Sequence, residues 1–163
     1  MSTVKQDSLR ETGKWAAAAI VEMVAALECD YDRLEELDCD ELNGAIDNLI
    51  ESAEATELVE LREAAGECAS REEAQTRIQE DALSVQVRTD WRDLDEMDAT
   101  PNEFCILLST GGPASRIRGE LESGEPSRAW LEVQDWGTPW TQYFGIEQET
   151  LLTYARCFYF GEG

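Results

Sequence analysis

The sequence predicts an α+β fold: an N-terminal helical, bundle-like half, then a small antiparallel sheet meander with a C-terminal helix. Three observations predict it. From Leu9 to Ile78, apolar residues recur at three- and four-residue steps, the period of a helix. From Ala82 onward they alternate with polar residues or gather in short runs of strand length. Gly and Pro punctuate those runs closely, and turns that short join antiparallel neighbours.

The elements follow in order. Ser8 with Glu11 forms a capping box before Leu9, Ala16, Ile20, Met23, Val24 and Leu27, with Gly13 weakening the first turn. Asp32 with Glu35 repeats the signature before a short "RLEEL" turn. Asp40 reads as the cap of a helix burying Leu42, Ile46, Leu49, Ile50 and Ala53. Leu58, Leu61, Ala65 and Cys68 continue in a shifted phase, which means either a break near Thr56 or one long kinked helix. Ser70 with Glu73 opens a further helix carrying Ala74 and Ile78. "ALSVQVR" then alternates as a strand, "EFCILLS" is a second, and "TGGP" turns into "ASRIRGEL". "ESGEPS" turns again into "RAWLEVQD", so three or four strands are expected. The tail "IEQETLLTYARCFYF" reads as a closing helix packing Leu151, Leu152, Ala155 and Phe158 or Tyr159. The organisation is residues 1–81 as an acidic helical region and 82–163 as the meander with its helix, or one continuous domain.

With 42% hydrophobic residues and five tryptophans in 163 positions, the chain has the means to build a core. No apolar run reaches the ~18 residues that span a bilayer, and no signal peptide is visible, so a cytoplasmic location in a host cell is expected. Five cysteines without a CxxC pair suit reduced, structural thiols. Histidine is absent, which removes the commonest general base and transition-metal ligand.

The charge is −23, and it is regional. Residues 22–103 hold 26 acids and 6 bases, and residues 28–67 alone hold 15 acids against Arg33 and Arg62. Such a surface repels nucleic acid and anionic membrane and attracts a basic groove. No catalytic motif accompanies it: there is no GxSxG, and lysine occurs only at Lys5 and Lys14. "DYD" and "DCDE" resemble calcium loops, but counting from Asp38 puts Leu42, Asn43 and Leu49 where an EF-hand needs a ligand, a glycine and a glutamate. "STGGPAS" lacks the P-loop lysine and reads as a turn. No cofactor is expected, and neither is a metal.

Glu51, Glu54, Glu57, Glu60 and Glu63 recur every third residue, so their carboxylates wind around a helix rather than line one face. Folded into two or three helices roughly 30 Å long, the 15 acids would give one charge per ~2 Å, against one per ~1.7 Å in duplex DNA. The acidic helical half is similar in kind to the DNA-mimic anti-restriction and anti-CRISPR proteins of phages and plasmids. The stretch "FCILLSTGGPASRIRGEL" with "RAWLEVQDWGTPWTQYF" resembles the C-terminal part of small uncharacterised proteins of phages and other mobile elements. Together these resemblances imply a mobile-element origin and an anti-defence role.

The expectation is therefore a non-enzymatic acidic mimic that blocks the nucleic-acid site of a basic host protein or defence complex. Its contact surface would be Asp30, Asp32, Glu35, Glu36, Asp38, Asp40, Glu41, Asp47, Glu51, Glu54, Glu57, Glu60, Glu63 and Glu67. Asp90, Asp93, Asp95, Glu96 and Asp98 would add a second patch. The alternative is a small adaptor or assembly protein that binds its partner through the aromatic turn "QDWGTPWTQYF", by Trp136, Trp140 and Tyr143. Acidity would then serve only solubility or salt adaptation.

Overall fold

Among the described residues, 3–95 and 100–161, the computed structural model has six helices and five strands. The order is α1 (Thr3–Glu28), α2 (Tyr31–Leu37), α3 (Asp40–Asp47), α4 (Ala53–Ala65) and α5 (Arg71–Asp81). Then come β1 (Ser84–Arg88), β2 (Glu103–Ser109), β3 (Ala114–Glu122), β4 (Glu125–Gln134), β5 (Thr141–Tyr143) and α6 (Gln148–Ala155). The strands form one antiparallel sheet in sequence order, so the class is α+β. The fifth strand is the departure from the expected three or four. β5 lies inside the aromatic turn, and three residues are too few to show a period.

Two compact units divide the chain: Met1–Val21 with Ile78–Gly163, and Glu22–Arg77. They are called the sheet unit and the helical unit below. α1 contributes its residues up to Val21 to the first and the remainder to the second.

In the sheet unit, alternation puts Phe104, Ile106, Ile117, Gly119, Leu121, Ala129, Leu131 and Val133 on one buried face. Leu151, Leu152, Tyr154 and Ala155 of α6 are buried as well, and Phe160 stacks on Phe104 with ring centroids 4.9 Å apart. Of the expected Phe158 or Tyr159, Phe158 is half-buried with its ring centroid 5.9 Å from that of Tyr154; Tyr154 is fully buried. Its hydroxyl donates to Asp81 Oδ2 at 2.7 Å, and burial raises its pKa. Tyr159 is exposed. Gly119 is where a β-carbon would strike Phe104 and the Arg128 carbonyl, so the strand needs glycine there.

In the helical unit, Leu37, Leu42, Ala55 and Leu58 form a small core, with Leu34, Ile46 and Leu61 packed against it. Three expected helix boundaries move. α1 begins at Thr3, not at Ser8, because nothing between them interrupts a helix; Ser8 is interior, its carbonyl accepting from Thr12 Oγ1 at 2.9 Å. The cap of α2 is Asp30, which accepts from the Arg33 N–H at 3.0 Å, two residues before the expected Asp32. Asp40 is the first residue of α3, after an extended Cys39. At α5 the first half of the capping box forms as read, Ser70 Oγ accepting from Glu73 N at 3.2 Å, while Glu73 Oε2 reaches one residue past the cap and accepts from Ala69 N at 2.6 Å.

The larger correction concerns residues 48–52. The helices break there, not at Thr56, and Leu49 and Ile50 are exposed instead of buried. α3 ends in a Schellman motif: Ile50 N bonds Ala45 O at 2.8 Å and Leu49 N bonds Ile46 O at 3.1 Å, around Leu49 at φ 56°. Glycine usually takes that position, so a leucine there hides the stop. Ser52 then caps α4 by accepting from Ala55 N at 3.0 Å. The left-handed conformation costs a non-glycine residue about 1–2 kcal/mol, while glycine's own entropic cost is about 0.5–1 kcal/mol. Because Leu49 is 89% exposed, replacing it sacrifices no packing. Leu49→Gly is therefore expected to stabilise the protein by up to about 1 kcal/mol, measured by urea unfolding. A loss of stability would show that Leu49 packs in solution.

Candidate functional site

The helical unit carries 18 acids against four arginines, a net −14 in 56 residues, and the sheet unit carries 18 acids against nine bases, a net −9 in 107. Every acid of the helical unit is exposed except Glu57, which is half-buried. Its four arginines are all engaged. Arg33 forks onto Glu57 with bonds of 2.9 and 3.0 Å and reaches Glu36 at 3.2 Å. Arg62 donates to Asp38 at 2.9 Å and Asn43 at 2.6 Å. Arg77 pairs with Glu22 at 3.1 Å, and Arg71 meets the Leu27 carbonyl at 3.5 Å. These bonds tie α2 to α4, and α4 to the start of α3. The hydrogen bond from Arg33 holds the Glu57 carboxyl below its ordinary range; Asn43, then Arg62, does the same for Asp38.

Asp30, Asp32, Glu35 and Asp38 line one concavity of about 680 Å³, together with Arg71 and Glu72. Glu36 joins Asp32 and Glu35 at a neighbouring hollow. Asp40, Glu41 and Asp47 are on α3, Glu67 follows the end of α4, and Glu51 precedes its start, so the expected run of five helical glutamates is four. Each three-residue step turns about −60°. Glu54 therefore lies in line with the stripe of Ala55, Leu58 and Ala65, Glu57 and Glu63 flank it on either side, and Glu60 faces opposite. The helices are also shorter than the expected ~30 Å: α4, the longest within residues 28–67, has 13 residues, or about 20 Å. Among the described residues, no group of three or more His, Cys, Asp or Glu is placed to hold a metal. Burial pushes the Tyr31 phenol up to about 12, so it stays a neutral donor to the Ala26 carbonyl at 2.6 Å.

The second acidic patch belongs to the sheet unit. Asp90, Asp93 and Asp95 are exposed beyond β1; Glu96 and Asp98 lie outside the described residues.

The aromatic turn is tightly wound. Thr138 N bonds Asp135 O at 2.9 Å, and Asp135 N bonds Thr138 Oγ1 at 2.9 Å. Trp136 stands 75% exposed over Gly112, where any β-carbon would collide with the indole. Trp140 lies under the Arg116 guanidinium, 4.0 Å from it. Tyr143 packs instead on Gly13 and Gly145. The three aromatics thus share no single face.

Sequence reasoning missed the outer face of the sheet. Arg88, Arg116, Arg118 and Arg128 sit there with Cys105, Trp130, Glu103, Glu120 and Glu132. Their period-two spacing in "RIRGEL" and "RAWLEVQ" was the available signal. Each arginine is balanced: Arg88 and Arg118 by Glu103, Arg116 by Glu132 at 2.7 Å, and Arg128 by Glu120 at 3.2 Å. Trp130 Nε1 also donates to Glu132, at 3.2 Å. Burial pushes the Cys105 thiol up, so it is no ready nucleophile.

The lowered pKa of Glu57 has a consequence for stability. Its ionised form is favoured by folding, so its contribution is complete above the usual carboxylate range and disappears as pH falls through the lowered value. Glu57→Gln is expected to lower the melting temperature at pH 7, with the deficit shrinking to nothing in acid. Glu60→Gln, which breaks no ion pair, is expected to be neutral or stabilising. Equal effects of the two variants in thermal melts across pH would remove the Arg33 clamp from the account.

No family model matches the chain, and neither does any curated protein or solved structure, so its function has to be read from the chemistry of its own surfaces.

Proposed function

We propose that the protein is a non-enzymatic acidic decoy whose helical unit occupies the nucleic-acid-binding groove of a basic protein, with a host defence complex as the target class. One observation carries the reading: the unit's few cations are consumed in holding its helices together. Of the 15 acids in residues 28–67, only Glu36, Asp38 and Glu57 are paired with those arginines. The other dozen face solvent along a body whose longest helix is about 20 Å. A cationic groove that engages them releases counterions and gains attraction, as it does with phosphates.

Glu57 is engaged in folding, so the charges to remove are Glu51, Glu54, Glu60 and Glu63. The experiment retains a basic nucleic-acid-binding protein from host lysate on the immobilised chain, then measures displacement of a labelled duplex from that protein. The fourfold Gln variant is expected to associate at least about tenfold more slowly at low salt, with a shallower salt dependence and an unchanged circular dichroism spectrum. Unaltered association would defeat the decoy reading.

A second reading rests on Trp136, which is 75% exposed on a turn too heavily hydrogen-bonded to be a floppy loop. Exposed tryptophan on a rigid support is a common binding anchor. Under this adaptor reading, Trp136→Ala is expected to abolish partner capture while the fourfold Gln variant still binds, both read by surface plasmon resonance against the same retained protein.

A further inference from the structure

We propose that β1 is a strand-addition site, and that its occupant is an extended segment of a basic protein in which apolar and Lys or Arg residues alternate. The sheet has two edges, and they differ. β5 is three residues long, which is itself protection against pairing, whereas β1 is five residues with a regular register to β2 and a Val–Gln–Val centre. It carries no proline, lysine or bulge, the devices by which edges are usually blunted. Among the described residues β1 pairs with β2 alone, so every second backbone N–H and C=O of β1 points away from the sheet.

The apolar side chains agree. Val85 pairs with Ile106 and Val87 with Phe104, so both valines lie on the core face of the sheet. Ile106 and Phe104 are 0% and 2% exposed, yet Val85 and Val87 are 39% and 45% exposed. Core-type side chains thus continue past the point where their cover stops. Leu83 stands 59% exposed just before the strand, and Trp91 and Leu94 are fully exposed just after it. Leu83, Val85 and Val87 fall at alternate positions on one face, and exposed apolar residues so grouped mark interaction sites.

Charge selects the occupant. Glu80 and Asp81 precede the strand, and Asp90, Asp93 and Asp95 follow it, all exposed, with Arg92 among them. Arg88 is held by Glu103. A second copy pairing antiparallel would bring one acidic flank against the other, between chains each carrying −23. A basic segment meets favourable charge at both ends of β1. Backbone pairing supplies affinity, and side chains on alternate positions supply specificity. The surface belongs to the sheet unit and does not rest on the decoy reading of the helical unit.

The test uses the full chain and a capped synthetic peptide of alternating Val and Lys, roughly nine residues long, at physiological salt. Two analogues carry N-methyl groups on one or the other set of alternate residues, leaving charge and composition almost intact. Strand addition expects binding of the parent peptide, at least about tenfold weaker binding of one methylated analogue, and little change for the other. It also expects slowed hydrogen exchange at the amides of Ser84–Arg88, and at least about tenfold weaker binding by the Trp91→Ser, Leu94→Ser double variant. Those two side chains are fully exposed, so the variant keeps the fold, checked by circular dichroism. The fourfold Gln variant of the helical unit is expected to bind the peptide nearly as the parent chain does. No binding, equal binding of both methylated analogues, or a sedimenting dimer with β1 already protected would each overturn the proposal.

Discussion

Like-charge repulsion is the constraint to which the helical unit is built. Helices that carry 18 acids between Glu22 and Arg77 are held together by the cluster of Leu37, Leu42, Ala55 and Leu58 and by other buried apolar residues such as Met23, Leu27, Ala65 and Ala74. Arginine makes this feasible. The planar fork of Arg33 grips both oxygens of Glu57 and still reaches Glu36, which a lysine's point charge does not do. One guanidinium thereby offsets two carboxylates and fixes α2 on α4. Arg62 does the equivalent for Asp38 at the end of α2, drawing in Asn43 of α3. The remaining acids are left unopposed because the cations present are already spent on geometry.

The parts of the fold written as pattern were legible. A continuous apolar run of strand length located β2 to the residue, and the turns on either side located β3 and β4 nearly so. Helix ends were less legible: the apolar pattern runs on through Ala65 to Cys68, although Gly66 at φ 60° already closes α4. At α3 a leucine hid the end: Leu49 continued the apolar pattern while the backbone had already turned. The acidic surface was visible as composition, but its internal accounting was not. That Glu57 is structural and Glu60 is not depends on where Arg33 lands, 24 residues away in sequence. The outer sheet face was invisible for a related reason: pairs such as Arg116 with Glu132 form only once the strand register is known.

The distribution of charge bears on whether the acidity is adaptation to salt. Chain-wide adaptation acidifies all exposed surface alike. Here the two units hold equal numbers of acids, yet charge per residue is about three times denser in the helical unit, from −14 over 56 residues against −9 over 107. On the sheet's outer face, carboxylates alternate with arginines and neutralise them across strands. Repulsion is thus relieved where strands must pair and tolerated where helices face solvent. That uneven distribution is what the proposed decoy role expects and what chain-wide salt adaptation does not.

The field of a −23 chain acts at long range on anything basic, whichever surface it finally meets. It raises the rate of encounter but confers little choice among basic partners, because charge alone fits many grooves equally well. Choice requires contacts of short range. On the helical unit such contacts are scarce: its exposed large apolar side chains include Leu49, Ile50 and Val59, and its polar atoms are mostly carboxylate oxygens. The sheet unit holds the complement, an unpaired strand edge beside Trp91 and Leu94 and a rigid turn presenting Trp136. Steering by one unit and discrimination by the other is the division of labour that these chemistries allow. It also explains why a small chain would keep solvent-exposed tryptophans while carrying so much charge. Under the two proposals the contributions would separate by salt: screening at 0.15 M shortens electrostatic reach to about 8 Å and would slow association, while hydrogen bonds and apolar contacts at the strand edge and turn would still govern dissociation.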